Sequence, residues 1–106
     1  MFQKCAGKVC GGAQIHVTDR DSFRPYETGL WIVKVLHDQM PDAFQWRRAP
    51  YEYEPAPTRP AINLLTGTTE FKRIVETGGD VRAWIATWDD ALQRFLALRE
   101  NFLIYD

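Results

Sequence analysis

The sequence predicts an α+β domain: a small antiparallel or mixed sheet packed against about three helices, in a single domain. Three observations predict it. The chain is 106 residues long, within the usual size of one domain. The stretch Ala13-Gln14-Ile15-His16-Val17-Thr18 alternates apolar with polar, the period of a half-buried strand. Downstream, apolar residues recur at three-and-four spacing in separate runs, the period of helices with one buried stripe.

Each element follows in order. Ala13, Ile15 and Val17 are expected to face the core, with Gln14, His16 and Thr18 on the other side. The polar run Asp19-Arg20-Asp21-Ser22 closes that strand. Pro25 suits the first helical turn, where its missing N–H costs nothing. A helix is expected from about Pro25 to Met40, with Leu30, Ile32, Val33, Leu36 and Met40 on a broad apolar face and Pro41 ending it. Phe44-Gln45-Trp46 reads as a short extended piece. From Arg47 to Pro60 four prolines and two tyrosines make a loop too aromatic for a plain linker. Ile62, Leu64 and Leu65 sit on a short apolar turn closed by Gly67. A helix of roughly Thr69 to Thr77 turns Phe71, Ile74 and Val75 inward, with Thr68 or Thr69 as its cap, and Gly78-Gly79 stops it. Asp80 caps the last and longest helix, whose stripe is Val81, Trp84, Ile85, Trp88, Leu92, Phe95 and Leu96. Arg82, Asp89, Gln93 and Glu100 fall on its wet face. Phe102 to Tyr105 reads as a final strand able to pair with the first.

Composition narrows the function. Apolar residues make 45% of the chain, enough to bury a core without metal or disulfide staples. Thirteen basic residues stand against fourteen acidic ones, interspersed, which argues against a nucleic-acid partner. No apolar run approaches the ~20 residues of a membrane span, and Met1-Phe2-Gln3-Lys4 is too short and polar for a signal peptide. Cys5 and Cys10 read as ordinary thiols, because His16 and His37 do not complete a zinc set with them. No phosphate loop, dinucleotide fingerprint, nucleophile elbow or metal motif is present, so no cofactor is expected.

Two constellations carry chemistry. His16, continued by Asp19, Arg20 and Arg24, forms a hydrogen-bonding surface suited to sugar hydroxyls or a carboxylate. The plainer reading is a solvated sheet face with a surface ion pair worth ~0–1 kcal/mol. In the loop Pro50-Tyr51-Glu52-Tyr53-Glu54, carboxylates alternate with phenols. Paired carboxylates are what glycoside hydrolysis needs, but no pocket is built around these. Tyr51, Glu52 and Tyr53 are better candidates for sugar contacts, or for pinning the loop to the core. Trp84 and Trp88 at helical spacing read as core rather than as a carbohydrate platform.

The order of motifs resembles a known family. Phe2-x-Lys4-x-x-Gly7-x-x-Cys10-Gly11-Gly12 leads into Ile15-His16-Val17-Thr18-Asp19-Arg20, then Phe23-x-Pro25 and Gly29-Leu30. Pro41-x-x-Phe44-x-Trp46, Tyr51-Glu52-Tyr53-Glu54, Leu64-Leu65-x-Gly67, Trp88, Phe95-x-x-x-Arg99 and Leu103-Ile104-Tyr105 follow. The succession resembles the C-terminal half of the NamZ (YbbC-like) family of exo-β-N-acetylmuramidases, from Phe2 to Tyr105. The resemblance implies a two-domain parent whose Rossmann-like N-terminal domain carries catalysis, so this chain is expected to be the auxiliary domain, inactive alone. The implied reaction is release of N-acetylmuramic acid from the non-reducing ends of peptidoglycan fragments; the location stays open between a periplasmic or secreted parent and a cytoplasmic one. The partners it implies are the catalytic domain of the same parent chain and peptidoglycan-derived sugars. It also implies an interface or substrate role for Lys4, His16, Asp19, Arg20 and Arg24, and for the Tyr51–Glu54 loop. Asn63 stands where the family usually has aspartate, keeping the hydrogen-bonding shape and losing the charge. The alternatives are a free-standing carbohydrate-binding module and a small autonomous enzyme using His16 with Glu52 or Asp19.

Overall fold

A computed structural model describes residues 5–47 and 58–105. Five helices follow one another: α1 (Pro25–Gln39), α2 (Ala61–Thr66), α3 (Glu70–Glu76), α4 (Val81–Ala86) and α5 (Asp89–Glu100). No strand occurs among the described residues. The expected sheet is therefore absent there, and the α+β class gives way to an all-helical arrangement. Residues 13–18 and 102–105 have neither helix nor ladder. Ile15 and Val17, expected inside, are 55% and 45% exposed. The physical reason is that alternation only sorts side chains between two faces. A strand also needs a neighbour for its N–H and C=O groups, and these two segments do not supply one to each other.

The helices themselves follow local signals. Pro25 sits in the first turn of α1, and Arg24 O accepts both Thr28 N, at 2.9 Å, and Thr28 Oγ1, at 2.8 Å. Pro41 holds Met40 out of helical geometry, and the chain turns at once, with Phe44 N donating to Met40 O at 2.8 Å. The apolar turn expected at residues 62–65 is instead a short helix, α2, which Gly67 ends in the left-handed region at φ 68°. Thr69 occupies the N-cap of α3 without a side-chain cap bond, and Thr68 Oγ1, one residue earlier, accepts Glu70 N at 3.1 Å. At the far end of α3 Gly78, with φ 69°, lets Gly79 N reach back to Ile74 O at 2.8 Å, a six-to-one closure that only a left-handed residue permits.

Asp80 caps α4 as expected: its Oδ1 accepts Arg82 N at 2.8 Å and Ala83 N at 3.1 Å. An Asp80→Ala variant should lose about 1 kcal/mol of stability, read as a lower urea midpoint by circular dichroism. An unchanged midpoint would mean that water replaces the cap at no cost. The single long helix expected from Asp80 onward is broken in two. Thr87 N and Thr87 Oγ1 both donate to Trp84 O, at 3.0 and 2.7 Å, and Trp88 N donates to Ile85 O at 3.0 Å. These tight three-residue bonds, with a threonine hydroxyl competing for the carbonyl, interrupt the ladder. Helix α5 then starts afresh with Asp89 and Asp90 in its first turn, where the helix dipole favours negative charge.

The core is centred on α3. Phe71, Ile74 and Val75 are buried, with Leu30 of α1 and Val81 of α4 closing over them. Trp31, Val33, Trp46, Ile62, Trp84, Ile85 and Trp88 pack around that centre. The ring of Phe71 stacks on Trp84 at 5.8 Å, and Trp84 meets Trp88 edge-on at 4.9 Å. Helix α5 buries no residue, so Leu92 and Phe95 of the expected stripe stand exposed. In α1 only Leu30 is buried, while Ile32 and Leu36, and Met40 just past the helix end, are 39–47% exposed. No helix among the described residues is long and apolar enough to cross a membrane.

Candidate functional site

The turn before α1 shows what became of the first constellation. Asp19 Oδ1 accepts the backbone N–H groups of Asp21 and Ser22, at 3.0 and 3.4 Å, and Ser22 Oγ donates to Asp19 Oδ2. The Ser22 hydroxyl, followed by the two N–H groups, holds the Asp19 carboxyl below its ordinary pKa. Arg24 Nη1 donates to Asp21 O at 2.7 Å. Asp19 and Arg24 thus spend their hydrogen bonds on the turn that launches α1. His16 and Arg20 are exposed. Lys4, Tyr51, Glu52, Tyr53 and Glu54 lie outside the described residues.

A groove forms elsewhere, between α1 and α2. Val33 and Leu36 make one wall and Ala61, Ile62 and Leu65 the other, with Phe44, Gln45, Trp46 and Arg47 across the end. It has a volume of about 280 Å³, near the lower bound of small-ligand pockets. The Pro41 turn explains it: the chain reverses after α1 and carries Phe44 and Trp46 back along the helix. Their rings meet edge-on at 4.9 Å, and His37 packs against Phe44 at 5.1 Å. Lys72 lies 5.9 Å from the Trp46 ring centroid, in cation–π range, while bonding Glu76 at 2.5 Å.

Charge near the groove is already paired. Lys34 and then His37 hold the Asp38 carboxyl below its ordinary pKa, with His37 Nδ1 at 3.2 Å from Asp38 Oδ1. Among the described residues the lining contains no carboxylate. Such a surface can stack on and desolvate an apolar face. No cluster of three or more His, Cys, Asp or Glu able to hold a metal occurs among the described residues. On α2, Asn63 Oδ1 is shielded from solvent and accepts no hydrogen bond from the described residues. A carboxylate in its place would cost more to bury without a cation beside it.

The groove was only partly foreseeable. Phe44 and Trp46 stand out in sequence as alternating aromatics, but their walls come from helices whose inward faces were assigned to the core. Asn63 was singled out for its identity, and nothing in the sequence marked its oxygen as unpartnered.

Comparison with known proteins decides the family. Residues 1–105 match the family described as exo-β-N-acetylmuramidase NamZ, C-terminal. The chain belongs to this family. A curated relative, the peptidoglycan β-N-acetylmuramidase NamZ of Bacillus subtilis (strain 168), is 32% identical over 104 residues. That alignment covers 98% of this chain and 23% of the relative, so the chain spans about a quarter of the length of the NamZ protein it matches. No solved structure matches the chain.

Proposed function

We propose that this NamZ C-terminal domain is the accessory half of a peptidoglycan exo-β-N-acetylmuramidase. It completes the substrate cleft against an N-terminal catalytic domain of the same parent chain, which releases N-acetylmuramic acid from the non-reducing ends of peptidoglycan fragments. The family match over residues 1–105 carries this reading. Its support from the geometry is chemical: the groove between α1 and α2 offers aromatic and aliphatic surface for a sugar face. The division of labour is tested with a chromogenic muramide. The 106-residue chain should release no N-acetylmuramic acid, and the complete gene product should release it readily. Turnover by the short chain would sink the reading.

A second reading, a carbohydrate-binding module that works without catalysis, is favoured by Phe44 and Trp46 across the end of the groove. Titrating muropeptides into the short chain separates the two. Amide shifts confined to residues 33–47 and 61–65 would support a binding module, and no shift at millimolar ligand would remove it.

A further inference from the structure

The outer face of α5 and the segment after it form an unusual surface. Leu92, Phe95 and Leu98 fall within roughly 120° of the helix circumference at about 100° per residue. Phe102 N, bonded to Arg99 O at 2.8 Å, carries the chain on past the helix end. Leu92, Phe95, Leu98, Phe102 and Ile104 are between 49% and 86% exposed. A continuous apolar strip of this kind is rarely left to water in a monomer.

The chain as a whole exposes more surface than a compact monomer of its mass. The chain exposes 9430 Å² for a mass of 12.3 kDa, against roughly 6,100 Å² for a compact monomer of that mass. Its radius of gyration of 17.3 Å exceeds the about 13 Å usual for 100 residues. That excess belongs to the whole chain, residues 7–22 included, all of them exposed, and it is larger than the about 800 Å² that each partner buries in a stable interface. Charge adds a constraint. Arg99 projects within the same arc, and its guanidinium makes no hydrogen bond or ion pair among the described residues. A face that covers this strip must therefore bring a carboxylate to Arg99, since a buried unpaired guanidinium is costly.

We infer that the α5 strip, with Phe102 and Ile104, is the surface on which this domain docks to the remaining chain of its parent protein, through an apolar face carrying a carboxylate opposite Arg99. The occupant follows from length: the NamZ relative holds more than three times as much chain as aligns here. The inference rests on reading the chain as one domain of a larger enzyme.

Hydrogen–deuterium exchange on the 106-residue chain and on the complete gene product tests it. Amides from Leu92 to Tyr105 should exchange at least tenfold more slowly in the longer protein. Phe95→Glu should abolish that difference and leave the circular dichroism of the short chain unchanged, because Phe95 is solvent-facing there. Arg99→Glu should weaken the protection in the same direction. Equal rates in both proteins would overturn the inference. So would loss of helix in the Phe95→Glu short chain, concentration-dependent protection showing that a second copy covers the strip, or a gene that codes for no further chain. Muramidase activity measured alongside keeps the two readings apart. Protection without activity removes the proposed function and leaves the interface, and activity without protection does the reverse.

Discussion

Replacing Phe71 with alanine should destabilise the domain by about 3–5 kcal/mol, the usual cost of removing a buried aromatic side chain. Phe71 is fully buried, and its ring stacks on Trp84 at 5.8 Å. The side chain joins α3 to α4, and Trp84 continues the contact to Trp88 at the head of α5. Its loss therefore opens a cavity and leaves the Trp84 ring unsupported on one face. Collapse into that space is limited, because Ile74, Val75 and Val81 are already packed. A domain of this size has roughly 5–15 kcal/mol in total, so the variant keeps only part of it. Thermal unfolding by far-ultraviolet circular dichroism should show a midpoint more than about 10 °C lower. A shift of only a degree or two would mean that the core is not centred on α3.

The second large effect is electrostatic. Val75 is also fully buried, and Val75→Asp places a carboxyl where only apolar groups surround it. At neutral pH the cost should reach about 4 kcal/mol or more, from the lost packing and from burying a charge. The pH dependence has a definite sign. Burial raises the folded-state pKa of this new aspartate above its unfolded value of about 3.9. A group of that kind destabilises least below the unfolded pKa, and most above the folded one. The difference in unfolding free energy between variant and parent should therefore shrink as pH falls from 7 to about 4. The parent has its own opposite trend: Arg73 holds the Glu70 carboxyl below its ordinary pKa, so that contribution fades as acid protonates Glu70. Taking the difference at each pH removes this shared trend, and Val75→Asn, which cannot ionise, should show no such recovery. A penalty for Val75→Asp that is flat with pH would show that the side chain has swung out to water.

These effects concern the part of the fold that was most legible in the sequence. Pro25 and Pro41 bracket α1, Phe71, Ile74 and Val75 mark the inward face of α3, and Asp80 caps α4, because each signal acts within a turn or two of itself. The misread parts depend on distant partners. Ile15 and Val17 alternate as a strand does, but alternation says nothing of whether a neighbouring ladder exists. The stripe from Val81 to Leu96 has continuous periodicity, and the Thr87 hydroxyl that interrupts it is one side chain in sixteen. Leu92 and Phe95 share the period of core residues although they stand half exposed. The site was legible to a lesser degree. His16, Asp19, Arg20 and Arg24 adjoin in sequence, yet the hydrogen bonds of Asp19 and Arg24 are consumed by the local turn. Tyr51, Glu52 and Tyr53 fall outside the described residues. The groove draws Phe44 and Trp46 together with α1 and α2 through a reversal that no short window contains.

The placement of the four tryptophans has a spectroscopic consequence. Trp31, Trp46, Trp84 and Trp88 come from different parts of the chain, and all pack partly buried around the one core. Each indole is shielded on one side and reaches water on the other, so emission from the folded chain should lie between the blue of a sealed core and the red of free indole. Any event that loosens the core exposes all four together, whichever helix yields first. The domain carries its own optical reporter, sensitive to the centre of the fold and nearly blind to its outer strip.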